Sequence, residues 1–238
     1  MITIRNLKKS FRSLEVLRGV DLDIAPAGVT ALVGPNGSGK TTLIKSILGL
    51  TRSDAGQILV DSRRIDAAGE YRKKIGYMPQ IARFPENLTA TELLAMLRDL
   101  RGLSREETDE SLVGRFELER DMSKPLRTLS GGTRQKVNAV IAFLFHPRLL
   151  ILDEPTAGLD PIASGVLKDT IIAARDDGRT VVVSSHVISE LEEITDDVAF
   201  ILDGRTRFQG PIRKLKRETR QFTIERAIAE MMREDRAA

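Results

Sequence analysis

The chain has no cysteine, no tryptophan, two histidines and two tyrosines, and aromatic residues fill 4% of its 238 positions. Without cysteine there is neither a disulfide framework nor a thiolate zinc site, and two histidines leave little from which to build an imidazole metal centre. The same absence suits a reducing compartment. Long apolar runs are also missing. The longest, Ala139 to Phe145, falls far short of the roughly 20 residues that a membrane span needs. The opening Met1-Ile2-Thr3-Ile4 alternates like a strand and lacks the apolar core of a signal peptide. The chain is therefore expected to be soluble and to serve a membrane only through another subunit. An excess of one charge is equally lacking: 37 basic against 34 acidic side chains leave +3, too small an imbalance to imply nucleic acid as a partner. No repeat or low-complexity tract is visible.

What remains is an ordinary globular composition, 41% hydrophobic and 30% charged, long enough for one large domain or a domain with a lobe. The segment Gly34-Pro35-Asn36-Gly37-Ser38-Gly39-Lys40-Thr41 fits G-x-x-x-x-G-K-[ST], a loop whose backbone N–H groups wrap nucleotide phosphates. Its glycines allow a tight turn and close approach to a ligand. Lys40 is placed to meet the β- and γ-phosphates, and the Thr41 hydroxyl to meet Mg²⁺. The apolar run Thr30 to Val33 before the loop reads as a buried strand, and the spacing of Leu43, Ile44, Ile47 and Leu48 after it suits a helix. A helix start adds about half a positive charge where phosphates would lie.

Alternation at Ile2 and Ile4, then at Val20, Leu22 and Ile24, predicts antiparallel strands ahead of the loop, with Phe11 between them. Phe11 could stack on a purine or simply fill a turn or core. Further strands are expected at Gln57–Val60 and Ile75–Met78, the second ending at Pro79-Gln80. From about Phe84 to Phe145 the texture becomes helical. Thr89 and Glu92 form a capping box, Leu88 and Leu93 a hydrophobic staple, and Leu93, Met96, Leu97 and Leu100 a common face, with breaks at Gly102, Gly114 and Pro125. The α/β pattern resumes at Leu149–Leu152 and Thr180–Val183, apolar runs of the kind covered on both faces, separated by a crossover helix over Ile162–Ala174. Val198–Leu202 and a hairpin through Asp203-Gly204 follow. The tail from Pro211 carries Ile224, Ile228, Met231 and Met232 on one helical stripe, suited to packing on its own domain or to docking a partner.

Asp153 and Glu154 end a buried strand, the place where ligands collect in parallel sheets. Asp153 could hold Mg²⁺ and Glu154 could polarise an attacking water. His186 ends the next strand; a structural role and a γ-phosphate contact remain equally open for it. Gln80 could ligand Mg²⁺ or the water. In Leu129-Ser130-Gly131-Gly132-Thr133, Ser130 reads as an N-cap and the two glycines leave first-turn N–H groups open to an anion. A second phosphate-reading helix start is most simply used on a nucleotide held by another copy of the fold.

With these residues assembled, the sequence resembles the ATP-binding subunit of ABC transporters over about Ile2 to Gly210. Gly34–Thr42 resembles the Walker A loop, Gln80 the Q-loop, Leu129–Gly132 the signature motif, Leu149–Glu154 Walker B, Gly158–Asp160 the D-loop and His186 the switch histidine. The resemblance implies an α/β fold: a P-loop NTPase (RecA-like) core with an antiparallel β subdomain and an inserted α-helical subdomain. Its expected divisions are 1–83, 84–146 (helical, with the signature), 147–210 (Walker B, D-loop and switch histidine) and a helical tail, 211–238. It implies ATP and Mg²⁺, with Glu154, His186 and Lys40 catalytic. Phe11, Gly34, Pro35, Asn36, Gly37, Ser38, Gly39, Lys40, Thr41, Thr42, Gln80, Ser130, Gly131 and Gly132 would bind the nucleotide, and Thr41, Gln80 and Asp153 the metal. The implied partners are a second ATP-binding subunit, taken as an identical chain, and a membrane-embedded subunit docking near Gln80 and Arg83–Leu100. That places the chain on the inner face of the cell membrane. Thr133 stands where the family usually has glutamine, which would complete an S-x-x-Q box that threonine cannot. Gln80–Leu88, Thr133 and Glu225–Glu230 are in addition similar to the ATPase subunit of transporters that support copper-site assembly of nitrous-oxide reductase. A soluble ABC-type ATPase and a P-loop phosphotransferase are the competing expectations.

Overall fold

The structure, a computed structural model, describes residues 1–185 and 188–237. In chain order its elements are β1 (Ile2–Phe11), β2 (Leu14–Ile24), β3 (Gly28–Val33), α1 (Lys40–Ile47), β4 (Ala55–Val60), β5 (Arg63–Arg64), β6 (Ile75–Met78), α2 (Ala90–Arg101), α3 (Ser111–Arg115), α4 (Gly131–Phe143), β7 (Leu149–Asp153), α5 (Pro161–Asp176), β8 (Thr180–Ser184), α6 (Ile188–Leu191), β9 (Asp197–Leu202), β10 (Arg205–Pro211), α7 (Ile212–Thr219) and α8 (Ile224–Ala237). They fall into two compact units, Met1–Lys73 with Ala174–Ala238, and Lys74–Ala173.

The first unit holds an antiparallel sheet in the order β2-β1-β4-β5. Its register follows the alternation in the sequence. Ile2 pairs with Ile24 and with Val60, and Ile4 with Leu22 and with Ile58. All six are buried, so the period of two assigns one face of three strands to the core. A second group of strands places β3 parallel to both β8 and β9. Every residue of β8, and all of β3 beyond Gly28, is buried, as expected of parallel strands covered on both sides. β9 turns into antiparallel β10 through Asp203 (φ 49°) and Gly204 (φ 72°). Two successive positive φ angles are what a tight Asp-Gly hairpin requires. At the C-terminus, Ile224, Ala227 and Ile228 are buried and α8 lies against α6 and α7. Of the stripe predicted for the tail, Ile224 and Ile228 are thus buried in their own unit, while Met231 and Met232 are half-buried.

The second unit pairs β6 with β7 in parallel, Ile75 against Leu149 and Met78 against Leu152. The capping box at the start of α2 forms as expected. The Glu92 amide donates to Thr89 Oγ1 at 3.1 Å, and Thr89 N donates to Glu92 Oε2 at 2.8 Å. One expectation is refined and one corrected. The buried face of α2 is Ala90, Leu93 and Leu94, whereas Met96 and Leu100 are exposed, Leu100 by 76%. Gly114 lies inside α3 rather than breaking the chain; the left-handed residue that redirects the backbone is Glu117 (φ 55°). Gly102 does end α2, as its left-handed C-cap. Among the described residues no helix is long and apolar enough to cross a membrane.

Candidate nucleotide site

The phosphate loop leaves the C-terminal end of β3 and runs into α1. Gly34, Gly37 and Gly39 have φ of 155°, 80° and 106°, a backbone path open to glycine and strained for anything larger. Gly34 is doubly required, because a Cβ there would stand 2.1 Å from the carbonyl oxygen of Ile201 on β9. The Lys40 ammonium is drawn into the curve of the loop, donating to the carbonyls of Gly34 at 2.6 Å and Pro35 at 3.1 Å. Its side chain is buried. α1 starts without a side-chain cap, the condition under which a helix start can offer first-turn amides to a ligand. The Ser38 hydroxyl is buried with no hydrogen-bond partner among the described residues. A cation inside the loop, uncapped amides and an orphaned hydroxyl fit a phosphate group. Asn36 and Thr41 are exposed, with Pro35 and Thr42 half-buried.

Phe11 ends β1 and is 48% exposed. The Lys9 ammonium lies 5.3 Å from the ring centroid, and Asp54 fixes Lys9 at 2.8 Å and the Ser10 amide at 2.6 Å. These bonds hold the Asp54 carboxyl below its ordinary value, the Lys9 bond contributing most. An exposed ring with a fixed backbone is free to stack on a planar ligand.

The second unit carries the other candidates. Asp153 closes β7 and is 3% exposed; Glu154 follows at 8%. Glu154 has φ 53°, a left-handed conformation that costs a non-glycine residue about 1–3 kcal/mol and persists where surrounding structure over-determines it. Burial, and then the negative charge of Asp153, push the Tyr77 hydroxyl up to about 12; it stays a neutral donor beside that carboxylate. Gln80 is exposed just past β6. Ser130 caps α4, its Oγ accepting the Thr133 amide at 3.1 Å. Gly131 and Gly132 open the helix, exposed and half-buried. The Thr133 and Ser130 hydroxyls are 2.8 Å apart, so threonine, although unable to close the box as glutamine would, bonds the capping hydroxyl directly.

Around this helix the second unit gathers several of its candidates. Asn138 Nδ2 donates to the carbonyl of Pro79 at 2.8 Å and Gln135 Nε2 to that of Pro155 at 3.4 Å, reaching the residues beside Gln80 and Glu154. Lys136 pairs with Asp160 at 3.4 Å. The Asp160 carboxyl is held low, first by the Ala163 amide at the start of α5 and then by Lys136. Phe11, the phosphate loop and Lys40 belong to the first unit. His186 lies outside the described residues. Gln135 and Asn138 were not anticipated; the available signal was an asparagine interrupting the apolar stretch from Val137 to Phe143, since a buried amide needs partners.

Fold and site together define a mixed α/β cassette built on a P-loop NTPase core. The chain belongs to the ABC transporter family, whose sequence profile matches residues 17–157. It is 35% identical to the lantibiotic transport ATP-binding protein SrtF of Streptococcus pyogenes, over 86% of this chain and 88% of that one. A solved ATP-binding subunit of an ABC transporter superposes with TM-score 0.91 at 30% identity, covering 98% of this chain and 99% of the other. The dimeric post-hydrolysis state of the cassette MJ0796, bound to ADP and Pi, matches with TM-score 0.79 at 25% identity over 90% and 99% of the two chains. A bacterial Atm1-family ABC exporter with ATP bound matches with TM-score 0.83 at 25% identity, over 98% of this chain and 41% of the exporter.

Proposed function

We propose that two copies of this chain close head to tail on two ATP molecules, hydrolyse them, and thereby drive a membrane-embedded partner from the inner face of the cell membrane. The observation that carries this reading is the presence in one chain of two helix starts suited to phosphate: α1, entered from the glycine loop without a side-chain cap, and α4, opened by Gly131 and Gly132 behind Ser130. Lys40 and the loop amides would grip the phosphates from one protomer, and Ser130 with the amides after Gly131 and Gly132 from the other. A dimeric relative bound to ADP and Pi supports the pairing.

Phe11 would stack on the adenine. Thr41, Asp153 and Gln80 would hold Mg²⁺, whose charge offsets that of the phosphates. Glu154 would orient and deprotonate the attacking water, with His186 beside the γ-phosphate. Release of that phosphate removes what Ser130 holds, and the pair reopens. Moving such an equilibrium from 1:99 to 99:1 takes about 5.5 kcal/mol of differential binding, within reach of two shared phosphate sites. Of the sequence divisions proposed, 84–146 would carry the signature and the partner surface, and 211–238 would brace the core.

The partner would dock on the second unit near Gln80 and Arg83–Leu100. There Ile81, Met96 and Leu100 are exposed. A groove of about 220 Å³ in the same unit is lined by Tyr77, Leu97, Arg101, Ile141 and Phe145 among others. Apolar groups left in water, and a groove in the same unit, are what a docking helix would cover. Nucleic acid has no place in this scheme.

Replacement Glu154→Gln tests the central reading: it should keep ATP, stop turnover and trap a dimer by light scattering, whereas an ATP-bound monomer would contradict it. ATP loss without an acceptor separates the hydrolase from a phosphotransferase. A narrower cargo, copper-site assembly of nitrous-oxide reductase, rests on the resemblance of Gln80–Leu88, Thr133 and Glu225–Glu230. Cells lacking this chain should then make a reductase deficient in copper, and a copper-replete enzyme would remove the idea.

A further inference from the structure

We infer that Gln135 and Asn138 form a buried amide relay that positions Gln80 and Glu154 together, and this rests on the catalytic reading of those two residues above. The two amides are 5% and 2% exposed and bonded to each other, Asn138 Nδ2 to Gln135 Oε1 at 3.3 Å. Each then reaches out of the helix. Asn138 donates to the Pro79 carbonyl at 2.8 Å, and Gln135 to the Pro155 carbonyl at 3.4 Å. Both donors of Asn138 are thereby used, and an amide as deeply buried as this is costly to leave unpaired.

The acceptors make the arrangement informative. The Pro79 carbonyl belongs to the peptide plane whose nitrogen is that of Gln80, so fixing it sets the direction in which Gln80 leaves β6. Pro155 follows Glu154 directly, and its ring fixes its own φ near −65°. Holding its carbonyl therefore braces the exit from a residue kept at φ 53°, where bracing is what maintains the strain. A further contact, Ala157 N to the Glu154 carbonyl at 3.2 Å, closes the same turn. Both amides lie within about two turns of the Ser130 cap, on the helix whose start reads phosphate. A displacement of that helix start is transmitted to both catalytic backbones through one connected, buried network, whose members act as a unit.

Two nearly size-matched replacements that delete the donors, Asn138→Leu and Gln135→Met, and their double variant test this in the full-length chain. Each single change should lower kcat about tenfold, the scale of one buried hydrogen bond, with KM for ATP within about threefold of the parent. ATP-driven pairing in the Glu154→Gln background should persist. The double variant should be no slower than the worse single one, because the relay is broken once. Hydrogen exchange should rise at residues 80–81 and at 156–157 in either single variant. Should Asn138→Leu unfold, Asn138→Ala takes its place in the cycle. Effects that multiply in the double variant, or exchange that rises only beside the replaced residue's own carbonyl, would overturn the relay. A parent chain that hydrolyses no ATP while exchange follows the relay pattern would overturn the reading of Glu154 and leave the relay standing.

Discussion

At the Ser130 hydroxyl, one proton and two lone pairs must be shared among a backbone amide, a threonine and an incoming ligand. The Thr133 amide takes one lone pair. When the Thr133 hydroxyl, 2.8 Å away, donates to the other, the proton of Ser130 is left over and would serve as a donor to the phosphate of the proposed function. Thr133→Val keeps the branched shape and removes that bond, so the ATP concentration needed for pairing should rise about fivefold, the equivalent of about 1 kcal/mol. Thr133→Ser should restore it, and an equal defect in both variants would show that the hydroxyl is idle. Glycines of the loop give a second contrast. In Gly34→Ala the new methyl meets the Ile201 carbonyl at 2.1 Å, while in Gly37→Ala it meets nothing within 4 Å. Denaturant unfolding should show a loss well above 2 kcal/mol for the first and about 1 kcal/mol, from φ strain alone, for the second. Residues with a motif of their own, such as Lys40 and Glu154, could be singled out from spacing. Gln135 and Asn138 could not, because their significance lies in which carbonyls they reach.

Among the elements, α2 shows most clearly where sequence reasoning holds and where it stops. Its start was readable from Thr89 and Glu92, because a cap is local chemistry. Thr89→Ala should cost about 1 kcal/mol of stability in thermal or denaturant unfolding, and no change would mean that the box is ornamental. The Glu92 carboxyl is held below its ordinary value, chiefly by the Thr89 amide. The contribution of the box is therefore complete above the unfolded glutamate value and is lost as pH falls through the lowered folded value, so the penalty of Thr89→Ala should shrink in acid. The face of α2 was harder. Leu93, Met96, Leu97 and Leu100 share a stripe by spacing, yet Met96 and Leu100 are exposed. Periodicity reports that apolar residues align and is silent on whether the chain itself or a partner covers them. Strands were the more legible elements: Leu149–Asp153 and Thr180–Ser184 lie at the runs that spacing marks, since burial on both faces leaves an unbroken apolar signature.

For the whole molecule, the proposed function makes catalysis a property of two chains rather than one; family membership, a second helix start suited to phosphate and a dimeric relative bound to ADP and Pi support it. Each chain would hold a complete phosphate loop and a complete Ser130 cap, directed at different nucleotides. The most direct measurement is the rate of ATP hydrolysis per chain as the purified protein is diluted at saturating ATP. A shared site predicts a specific activity that falls in proportion to concentration once pairs dissociate, and a Lys40→Ala chain mixed with a Ser130→Arg chain should recover part of the activity that each lacks alone. A specific activity constant down to concentrations at which scattering shows only monomers would contradict the account.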